Sequence, residues 1–340
     1  MKKTDGAPGE QASMRPKGYL FCGIIVVCAI VFVYEGITGA GPLSESKVVI
    51  VPKGADLQSI GRRLKDKGVI GSELLFSLGA RLKQVHRELR AGEYQFPPAI
   101  SIRDVLVVMR EGQHINRRLT IAEGLNVRQV LEVLDRTKGL EGRIFPSPEE
   151  GTLLPDTYHF VFGTKRQSVV DQMRSQMDSL LVRLWTNRAA GLPIKTKKGA
   201  IILASIVEKE TGLAAERGRI AGVFINRLKL GMRLESDPTV RYAITGGKRK
   251  LARGLKKSEL RREHPYNTYR IHGLPPGPIC NPGKEAIAAV LNPEKTSALF
   301  FVADGTGGHI FSDTLREHLK AVRKWRKIER SLRRHKKQVQ

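Results

Sequence analysis

Two glutamates, Glu208 and Glu210, end a strongly apolar segment in the middle of the chain. The segment reads GAIILASIVEKETG over residues 199–212, and its aliphatic residues would fall on every face of a helix, as they do in a helix that is buried on all sides. Burial disfavours the charged form of a carboxyl group, so buried carboxyl groups are usually paired with cations or take part in chemistry. A carboxyl group with a raised pKa stays protonated near neutral pH, as the general acid in glycosidic bond cleavage must.

The helical wheel separates these two carboxyl groups by roughly 200°. Glu210 falls on a stripe of apolar residues, which are Leu203, Ile206, Val207, Leu213 and Ala214. Glu208 falls on a smaller and more polar stripe, made of Ile201, Ala204, Ser205 and Gly212. The more apolar surroundings make Glu210 the predicted acid, while Glu208 would pair with a base or hold the geometry of the site. The alternative interpretation is that both glutamates form salt bridges at a helix end.

Three further segments offer groups that could line a binding cleft. Residues 236–239, SDPT, are typical of a helix N-cap, and either a plain cap or a place in the cleft fits them. Residues 266–269, YNTY, combine amide, hydroxyl and aromatic groups, which suit sugar hydroxyls and sugar ring faces. Asn226 lies on the predicted helix that follows the two glutamates. The predicted substrate-binding residues are Glu208, Asn226, Ser236, Asp237, Tyr266, Asn267, Thr268 and Tyr269.

The cysteine and histidine pattern argues against a metal site. Three cysteines, Cys22, Cys28 and Cys280, are too few to staple a chain of 340 residues with disulfides. No Cys and His residues have the spacing of a zinc site, so we predict neither a metal nor another cofactor. His309 follows two glycines, and a structural role fits it better than a role as a base.

Residues 47–113 have the pattern of a small α/β unit. A β-branched strand over 48–51 leads to a turn at Gly54 and a helix that Asp56 can cap and Gly68 can end. A second helix and a strand over 92–96 follow. Residues 120–130 repeat the strand, glycine, cap and apolar pair of residues 50–60. This likeness indicates either an internal repeat or an ordinary strand–turn–helix.

An uncharged run of 16 residues, Tyr19 to Tyr34, follows a basic and polar N-terminus. As a helix it would be about 24 Å long, a little less than the hydrocarbon core of a bilayer, which is about 30 Å thick. We predict a retained membrane anchor; the alternative is a cleaved signal peptide with small residues at 38–40 as its cleavage site. In either case the positive-inside rule keeps the N-terminus cytoplasmic and sends the rest of the chain across the inner (plasma) membrane, to the periplasmic side.

The charge balance favours a polyanionic partner. The chain has 59 Lys and Arg against 33 Asp and Glu, a net charge of +26. Export across a membrane excludes nucleic acid as a natural ligand and leaves anionic lipid and the cell wall. Two basic clusters, residues 248–262 and 320–337, would be solvated surfaces or would contact lipid headgroups or the carboxylates of wall stem peptides.

Four long motifs in a fixed order resemble the YceG-like family. They are SIVEKET at 205–211, VFINRLKLGMRLESDPTVRYAI at 223–244, HPYNTYRIHGLPPGPICNPG at 264–283 and FVADGTGGHIFSDTLREH at 301–318. The Glu-Thr of EKET also resembles the Glu-Ser pair of goose-type lysozymes and soluble lytic transglycosylases, and this likeness places the acid at Glu210. Residues 47–96 resemble a LysM-type module, which would grip glycan or act as a spacer.

The family resemblance implies a membrane-anchored endolytic peptidoglycan transglycosylase. Its substrate would be the glycan strands of peptidoglycan, cleaved between N-acetylmuramic acid and N-acetylglucosamine with a 1,6-anhydro end as product. The resemblance also suggests association with peptidoglycan synthases and release of nascent strands. The alternative is a noncatalytic, membrane-anchored protein that only binds cell-wall glycan.

The predicted fold is α+β, with a single N-terminal transmembrane helix, a LysM-like α/β subdomain and a mixed α+β lytic transglycosylase catalytic domain. The predicted parts are a cytoplasmic tail at 1–18, the anchor at 19–37, the LysM-like subdomain at 47–113, the catalytic domain at 114–330 and a basic tail at 331–340.

Overall fold

The computed structural model describes residues 16–249 and 251–338. Most of the predicted cytoplasmic tail, the last two residues of the predicted basic tail, and Lys250 of the first basic cluster lie outside the described residues. The chain divides into two compact units. The first contains the residues up to Asn116 together with Val161–Gly163, and the second contains Arg117–Phe160 and the chain from Thr164 onward.

The first unit combines a two-stranded sheet with helices. Its elements in chain order are α1 (Pro16–Thr38), β1 (Lys47–Val51), α2 (Leu57–Asp66), α3 (Glu73–Leu82), β2 (Gly92–Phe96) and α4 (Ile102–Glu111). Strand β1 pairs antiparallel with β2, with Lys47 opposite Phe96 and Val51 opposite Gly92. Phe76, Tyr94 and Phe96 are fully buried in the core of this unit, which therefore depends on aromatic side chains from both the helices and the sheet.

The short helices of this unit begin at side chains that accept hydrogen bonds from the helix backbone. Asp56 Oδ1 accepts from Ser59 N at 2.9 Å, as predicted. Ser72 and Ser101 cap α3 and α4 in the same way. Gly54 has a φ of 78°, a left-handed conformation that glycine adopts at low cost. The predicted order of strand, turn and capped helix is therefore confirmed.

Among the described helices, α1 is the one that is long and apolar enough to cross a membrane. Its side chains from Phe21 to Phe32 are exposed, whereas Ile37, near its end, is buried in the core of the first unit. A Cβ on Gly36 would lie 2.6 Å from Leu75 Cδ1 of α3. The last turn of α1 is thus packed into the folded unit, and the part from Phe21 to Phe32 presents apolar side chains to its surroundings.

The second unit is mainly helical. Its elements are β3 (Arg117–Thr120), α5 (Val127–Arg136), β4 (Leu140–Glu141), β5 (Thr157–Phe160), β6 (Thr164–Lys165), α6 (Arg166–Thr186), α7 (Lys197–Glu210), a 3₁₀ turn (Ala214–Glu216), α8 (Arg217–Lys229), α9 (Asp237–Thr245), α10 (Lys257–Arg261), α11 (Lys284–Leu291), β7 (Phe300–Ala303), β8 (His309–Ser312) and α12 (Leu315–Gln338). Strands β3 and β5 pair antiparallel, as do β7 and β8, while the short β4 and β6 pair in parallel. The predicted α+β class is confirmed.

The start of the second unit has the same local arrangement as the start of β1 and α2. Strand β3 is followed by Gly124, whose φ is 73°. Asn126 then caps α5, and its Oδ1 accepts from Gln129 N at 2.9 Å. The sequence likeness between residues 50–60 and 120–130 therefore corresponds to two similar strand–turn–helix segments.

Helix α7 lies in the core of the second unit. All residues from Gly199 to Val207 are buried, as the apolar sequence predicted. Helices α8 and α11 pack against it. The helix ends at Glu210, because Thr211 has an extended backbone with φ −133° and ψ 138°. The helical wheel therefore does not continue to Leu213, whose side chain is 42% exposed.

Candidate active site

Glu210, the last residue of α7, lies beside the turn that begins α9. Ser236 Oγ donates a hydrogen bond to Glu210 Oε1. The side chain of Glu210 is partly exposed, whereas Ser236 is only 1% exposed. Glu210 is therefore partly exposed as a residue, while its carboxyl oxygen Oε1 is held by a serine of the interior.

Ser236 occupies the N-cap position of α9 without capping it. Its side chain makes no hydrogen bond to the helix backbone, because its hydroxyl is directed at Glu210. The backbone of Ser236 is held by threonines: Ser236 N donates to Thr268 Oγ1 at 2.9 Å, and Thr239 Oγ1 donates to Ser236 O at 2.6 Å. The SDPT segment thus opens a helix, as one interpretation required, while its serine hydroxyl belongs to the site around Glu210.

Asp237 and Tyr269 form a second polar pair beside this turn. Tyr269 Oη donates to Asp237 Oδ1 at 2.8 Å. Burial, followed by the negative charge of Asp237, raises the pKa of Tyr269, so its hydroxyl stays protonated. Asp237 is exposed and Tyr269 is partly exposed, which leaves both side chains accessible to a ligand.

The surroundings of Glu210 raise the pKa of its carboxyl group from 4.5 to about 7. Burial is the largest cause, and the negative charge of Asp237 acts in the same direction. The hydrogen bond from Ser236 and the positive charge of Arg227 lower the pKa and oppose these effects. A carboxyl group with this pKa can hold a proton near neutral pH, donate it, and accept one afterwards.

Arg227, on α8, fixes the turn that precedes Ser236. Its Nη1 donates to the backbone carbonyls of Arg233 and Leu234, at 3.0 Å each, and to Glu235 Oε2 at 3.2 Å. No local sequence pattern identifies Arg227, because its role depends on burial and on bonds to backbone carbonyls. Its guanidinium holds the segment that carries Ser236 toward α7.

Glu208 lies among different partners from Glu210. Its Oε2 accepts from Gly283 N at 2.9 Å, and its Oε1 lies 4.0 Å from Arg217 Nη2. Burial raises the pKa of this carboxyl group too. The alternative of salt bridges at both glutamates fits Glu208 alone, since the described residues include no ion pair to Glu210. The structure therefore gives Glu208 contacts that hold the loop before α11 against α7.

The YNTY segment contains both buried and accessible side chains. Asn267 is 1% exposed, and its Nδ2 donates to three backbone carbonyls, those of residues 259, 260 and 262. Thr268 is fully buried, with its Oγ1 2.8 Å from Thr239 Oγ1. The structure differs here from the expectation of substrate contact, because the polar atoms of Asn267 and Thr268 are bonded within the protein. Tyr266 and Tyr269 are partly exposed, and for them contact with substrate stays a prediction.

Asn226 is also bonded within the second unit. Its Nδ2 donates to Thr296 O at 2.7 Å and to Ala298 O at 3.2 Å. Both amide hydrogens are therefore directed at backbone carbonyls of the segment before β7. This arrangement makes Asn226 a connection between α8 and that segment, and contact of its partly exposed side chain with sugar stays a prediction.

Among the described residues, no group of three or more His, Cys, Asp and Glu side chains could hold a metal ion. His309 Nδ1 lies 2.7 Å from Glu216 Oε2, and His309 N donates to Glu216 Oε1 at 2.9 Å. These bonds join β8 to the 3₁₀ turn that follows α7. His309 thus has the structural position that its sequence context favoured.

Glu150, which is not among the residues predicted from the sequence, is a third carboxyl group with a raised pKa. Burial raises its pKa to about 7. Its Oε1 accepts from Val127 N at 3.0 Å, at the start of α5, and lies 3.5 Å from Asn281 Nδ2. These partners are 23 and 131 residues away in sequence, so no local pattern could have revealed the burial.

A comparison with protein families gives a match over most of the chain. The model of the YceG-like family matches residues 49–324. The chain belongs to the YceG-like family. The match includes every residue of the site described above, from Val127 to His309.

Two curated proteins that are similar to this YceG-like chain carry the same name. An endolytic murein transglycosylase of Bacillus subtilis (strain 168) is 32% identical over 307 residues, which cover 81% of this chain and 83% of that protein. An endolytic murein transglycosylase of Streptococcus pneumoniae (serotype 2, strain D39) is 28% identical over 77% of this chain, and the match spans 55% of that longer relative. A crystal structure of a YceG-like protein from Listeria monocytogenes is 30% identical, covers 82% of this chain and 99% of that chain, and has a TM-score of 0.49.

Proposed function

We propose that this chain is an endolytic lytic transglycosylase that cleaves the glycan strands of peptidoglycan, with Glu210 as its catalytic acid and base. One observation carries the proposal: the carboxyl group of Glu210, at an accessible helix end, has a pKa raised to about 7. Membership of a family whose similar relatives are named endolytic murein transglycosylase supports the substrate and the reaction.

In the proposed reaction, protonated Glu210 donates its proton to the oxygen between N-acetylmuramic acid and N-acetylglucosamine. The bond from the muramic C1 to that oxygen breaks, and the muramic ring passes through an oxocarbenium-like state. The carboxylate then takes the proton of the muramic 6-hydroxyl, whose oxygen forms a bond to C1 of the same sugar. The product is a 1,6-anhydro end. No water is consumed, and the carboxyl group regains its proton.

The contacts of Glu210 are consistent with one residue doing both proton transfers. Ser236 Oγ donates to Oε1, and among the described residues no group donates to Oε2. In the neutral acid the proton would therefore reside on Oε2, directed away from the serine. An attack from within the same sugar ring benefits from a high effective concentration, so a second carboxylate that activates water is not required.

We further propose that α1 anchors the protein in the plasma membrane, with both folded units on the outer side. The exposed apolar side chains of α1 support this location, since they would otherwise contact water. The first unit would then act as a LysM-like grip on glycan, or as a spacer that carries the second unit. Its strand–helix–helix–strand order from β1 to β2 agrees with that assignment.

The test uses the full-length protein in detergent and purified sacculi, with mass spectrometry of the released fragments. Wild type should release fragments with 1,6-anhydro ends. Glu210→Gln should release none, whereas Glu208→Gln, the matched substitution two residues away, should retain activity within about tenfold, because its amide oxygen can still accept from Gly283 N.

Two outcomes would contradict the proposal. Fragments with free reducing ends in place of 1,6-anhydro ends would mean that the enzyme is a hydrolase. Binding of wild type to sacculi without any cleavage would favour the noncatalytic glycan-binding alternative.

A further inference from the structure

A cavity of about 660 Å³ opens in the second unit next to the end of α7. Its walls come from the start of α5, from Lys209 on α7, from Tyr242 on α9 and from the loop that follows α9 up to Leu251. Lys209 directly precedes Glu210, and Pro238 in the same wall lies two residues after Ser236. The wall of the cavity is therefore close in sequence to the proposed acid, Glu210, and to its partner Ser236, although neither of the two lines it.

The wall of this cavity carries an excess of positive charge. Arg128 is paired with Glu132 at 3.0 Å, and the other carboxylate of the wall, Glu123, lies 3.7 Å from an arginine outside it. Among the described residues, four cationic side chains of the wall have no carboxylate within 4.0 Å: Lys209, Arg241, Lys248 and Arg249.

Two of these cations are held in place by neutral partners. Lys209 Nζ lies 3.3 Å from Gly124 O, and Arg241 Nη1 donates to Leu251 O and Arg253 O at 3.1 Å each. Backbone carbonyls orient a cation without neutralising its charge. The cavity therefore keeps a positive potential that an anionic ligand would satisfy.

The loop that carries Lys248 and Arg249 is tied across the cavity to α5. Asn126 Nδ2 donates to Gly247 O at 2.7 Å, and Arg128 Nη1 donates to Lys248 O at 2.7 Å. Gly247 adopts a φ of 69°, which lets the chain turn there. Because these bonds restrain the loop, less conformational freedom is lost when an anion enters the cavity.

We propose that this cavity binds the carboxylates of the stem peptide that is attached to the muramic sugar of the substrate. The inference rests on the proposed function. Stem peptides combine carboxylates with small aliphatic side chains, and the cavity wall combines cations with Leu125, Tyr242, Leu251 and Ile279. Because the wall includes Lys209 and Pro238, which flank Glu210 and Ser236 in sequence, a peptide on one sugar could bind there while the neighbouring glycosidic bond meets the acid.

The test compares two substrates for the full-length protein in detergent: glycan strands with intact stem peptides, and the same strands after an amidase has removed the peptides. Wild type should cleave the peptide-bearing strands with at least about tenfold higher kcat/KM, the effect of roughly one charge-assisted contact. In Lys248→Gln/Arg249→Gln this ratio should fall about tenfold, mainly through a higher KM for peptide-bearing strands. The side chains of Lys248 and Arg249 make no hydrogen bond to other described residues, so the loop should keep its fold.

The matched control is Lys257→Gln/Arg261→Gln, which removes two positive charges from exposed positions on the nearby α10, outside the cavity. The control should keep the wild-type ratio. An equal fall in both double variants would overturn the proposal, because it would show a general effect of charge, and so would a wild type that cleaves both substrates equally well.

A fluorescence titration that measures binding of a free stem peptide to the wild type separates this proposal from the proposed function. Peptide binding that Lys248→Gln/Arg249→Gln weakens would support the cavity even if no glycan is cleaved. Failure of the peptide to bind, with binding of a phosphate-containing wall polymer in its place, would assign the cavity to that polymer and refute the inference.

Discussion

Replacement of Glu210 by glutamine should make the protein inactive and, at alkaline pH, more stable. Burial raises the pKa of this carboxyl group from 4.5 to about 7 in the folded protein. Below pH 4.5 the group is neutral in both the folded and unfolded states, and folding has no ionisation cost. Between pH 4.5 and 7 the carboxyl group ionises in the unfolded state but stays mostly protonated in the folded state, which favours unfolding. Above pH 7 the folded state has lost the full free energy that corresponds to the difference between the two pKa values.

The size of this cost follows from the change in pKa. A rise from 4.5 to about 7 corresponds to about 3 kcal/mol of free energy of unfolding. The glutamine side chain of Glu210→Gln would carry no charge and could still accept the hydrogen bond of Ser236. Glu210→Gln should therefore exceed wild type by about 3 kcal/mol at pH 8.5 and match it at pH 4, while turnover falls by about 10² to 10⁴-fold or more.

Urea unfolding at the two pH values, followed by tryptophan fluorescence, would measure the difference. Both tryptophans, Trp185 and Trp325, lie in the second unit, so the signal reports on the unit that contains Glu210. Glu149→Gln, at an exposed position of the same unit, is the control and should change stability by less than about 0.5 kcal/mol at either pH. Equal stability of wild type and Glu210→Gln at pH 8.5 would refute the burial argument, and retained cleavage would refute the role of Glu210 as the acid.

Three further predictions concern the pH profile, the packing of α8 and the anchor. The charge of Asp237 raises the pKa of Glu210, so Asp237→Asn should move the alkaline decline of kcat/KM to lower pH, and a move to higher pH would contradict the assigned electrostatics. A Cβ on Gly222 would lie 2.6 Å from Glu294 O, whereas one on Gly218 would meet Glu294 Cβ at an ordinary 3.6 Å. Gly222→Ala should therefore lose about 1–3 kcal/mol in urea unfolding, and Gly218→Ala should be neutral or gain up to about 1 kcal/mol; similar values for both would count against the packing. The protein should fractionate with membranes and leave them only with detergent, and recovery of a soluble form that begins near residue 41 would identify residues 19–34 as part of a cleaved signal peptide.

Local patterns in the sequence were sufficient to predict several elements. A carboxylate or amide side chain directly before a helix can accept a hydrogen bond from the backbone N–H three residues later. The caps Asp56 and Asn126 could therefore be identified from the sequence, without knowledge of the fold. Apolar residues on every face of residues 199–207 could be accommodated only in a core, and α7 lies in one. The order of the long motifs was enough to identify the family, because several specific segments in one order do not recur by chance.

The tertiary structure decided which groups surround the acid. Ser236 lies 26 residues from Glu210, and its hydroxyl bonds the carboxyl group although its sequence context indicated a helix cap. Asn267 and Thr268 looked like sugar-binding residues, but the first turn of α9 and the backbone of α10 enclose them and bond their polar atoms.

The environment of a side chain depends on segments that are distant in sequence, and a helical wheel ends where its helix ends. The wheel placed Leu213 beside Glu210, whereas the chain turns away at Thr211 and leaves Leu213 exposed. The burial that raises the pKa of Glu210 comes in part from the packing of the turn at Ser236, and that of Glu150 from segments up to 131 residues away. Residue types and spacing therefore identified the carboxyl group that could act as an acid. Only the packing of distant segments gave this group the proton affinity that the proposed reaction needs, because desolvation is a property of the folded surroundings.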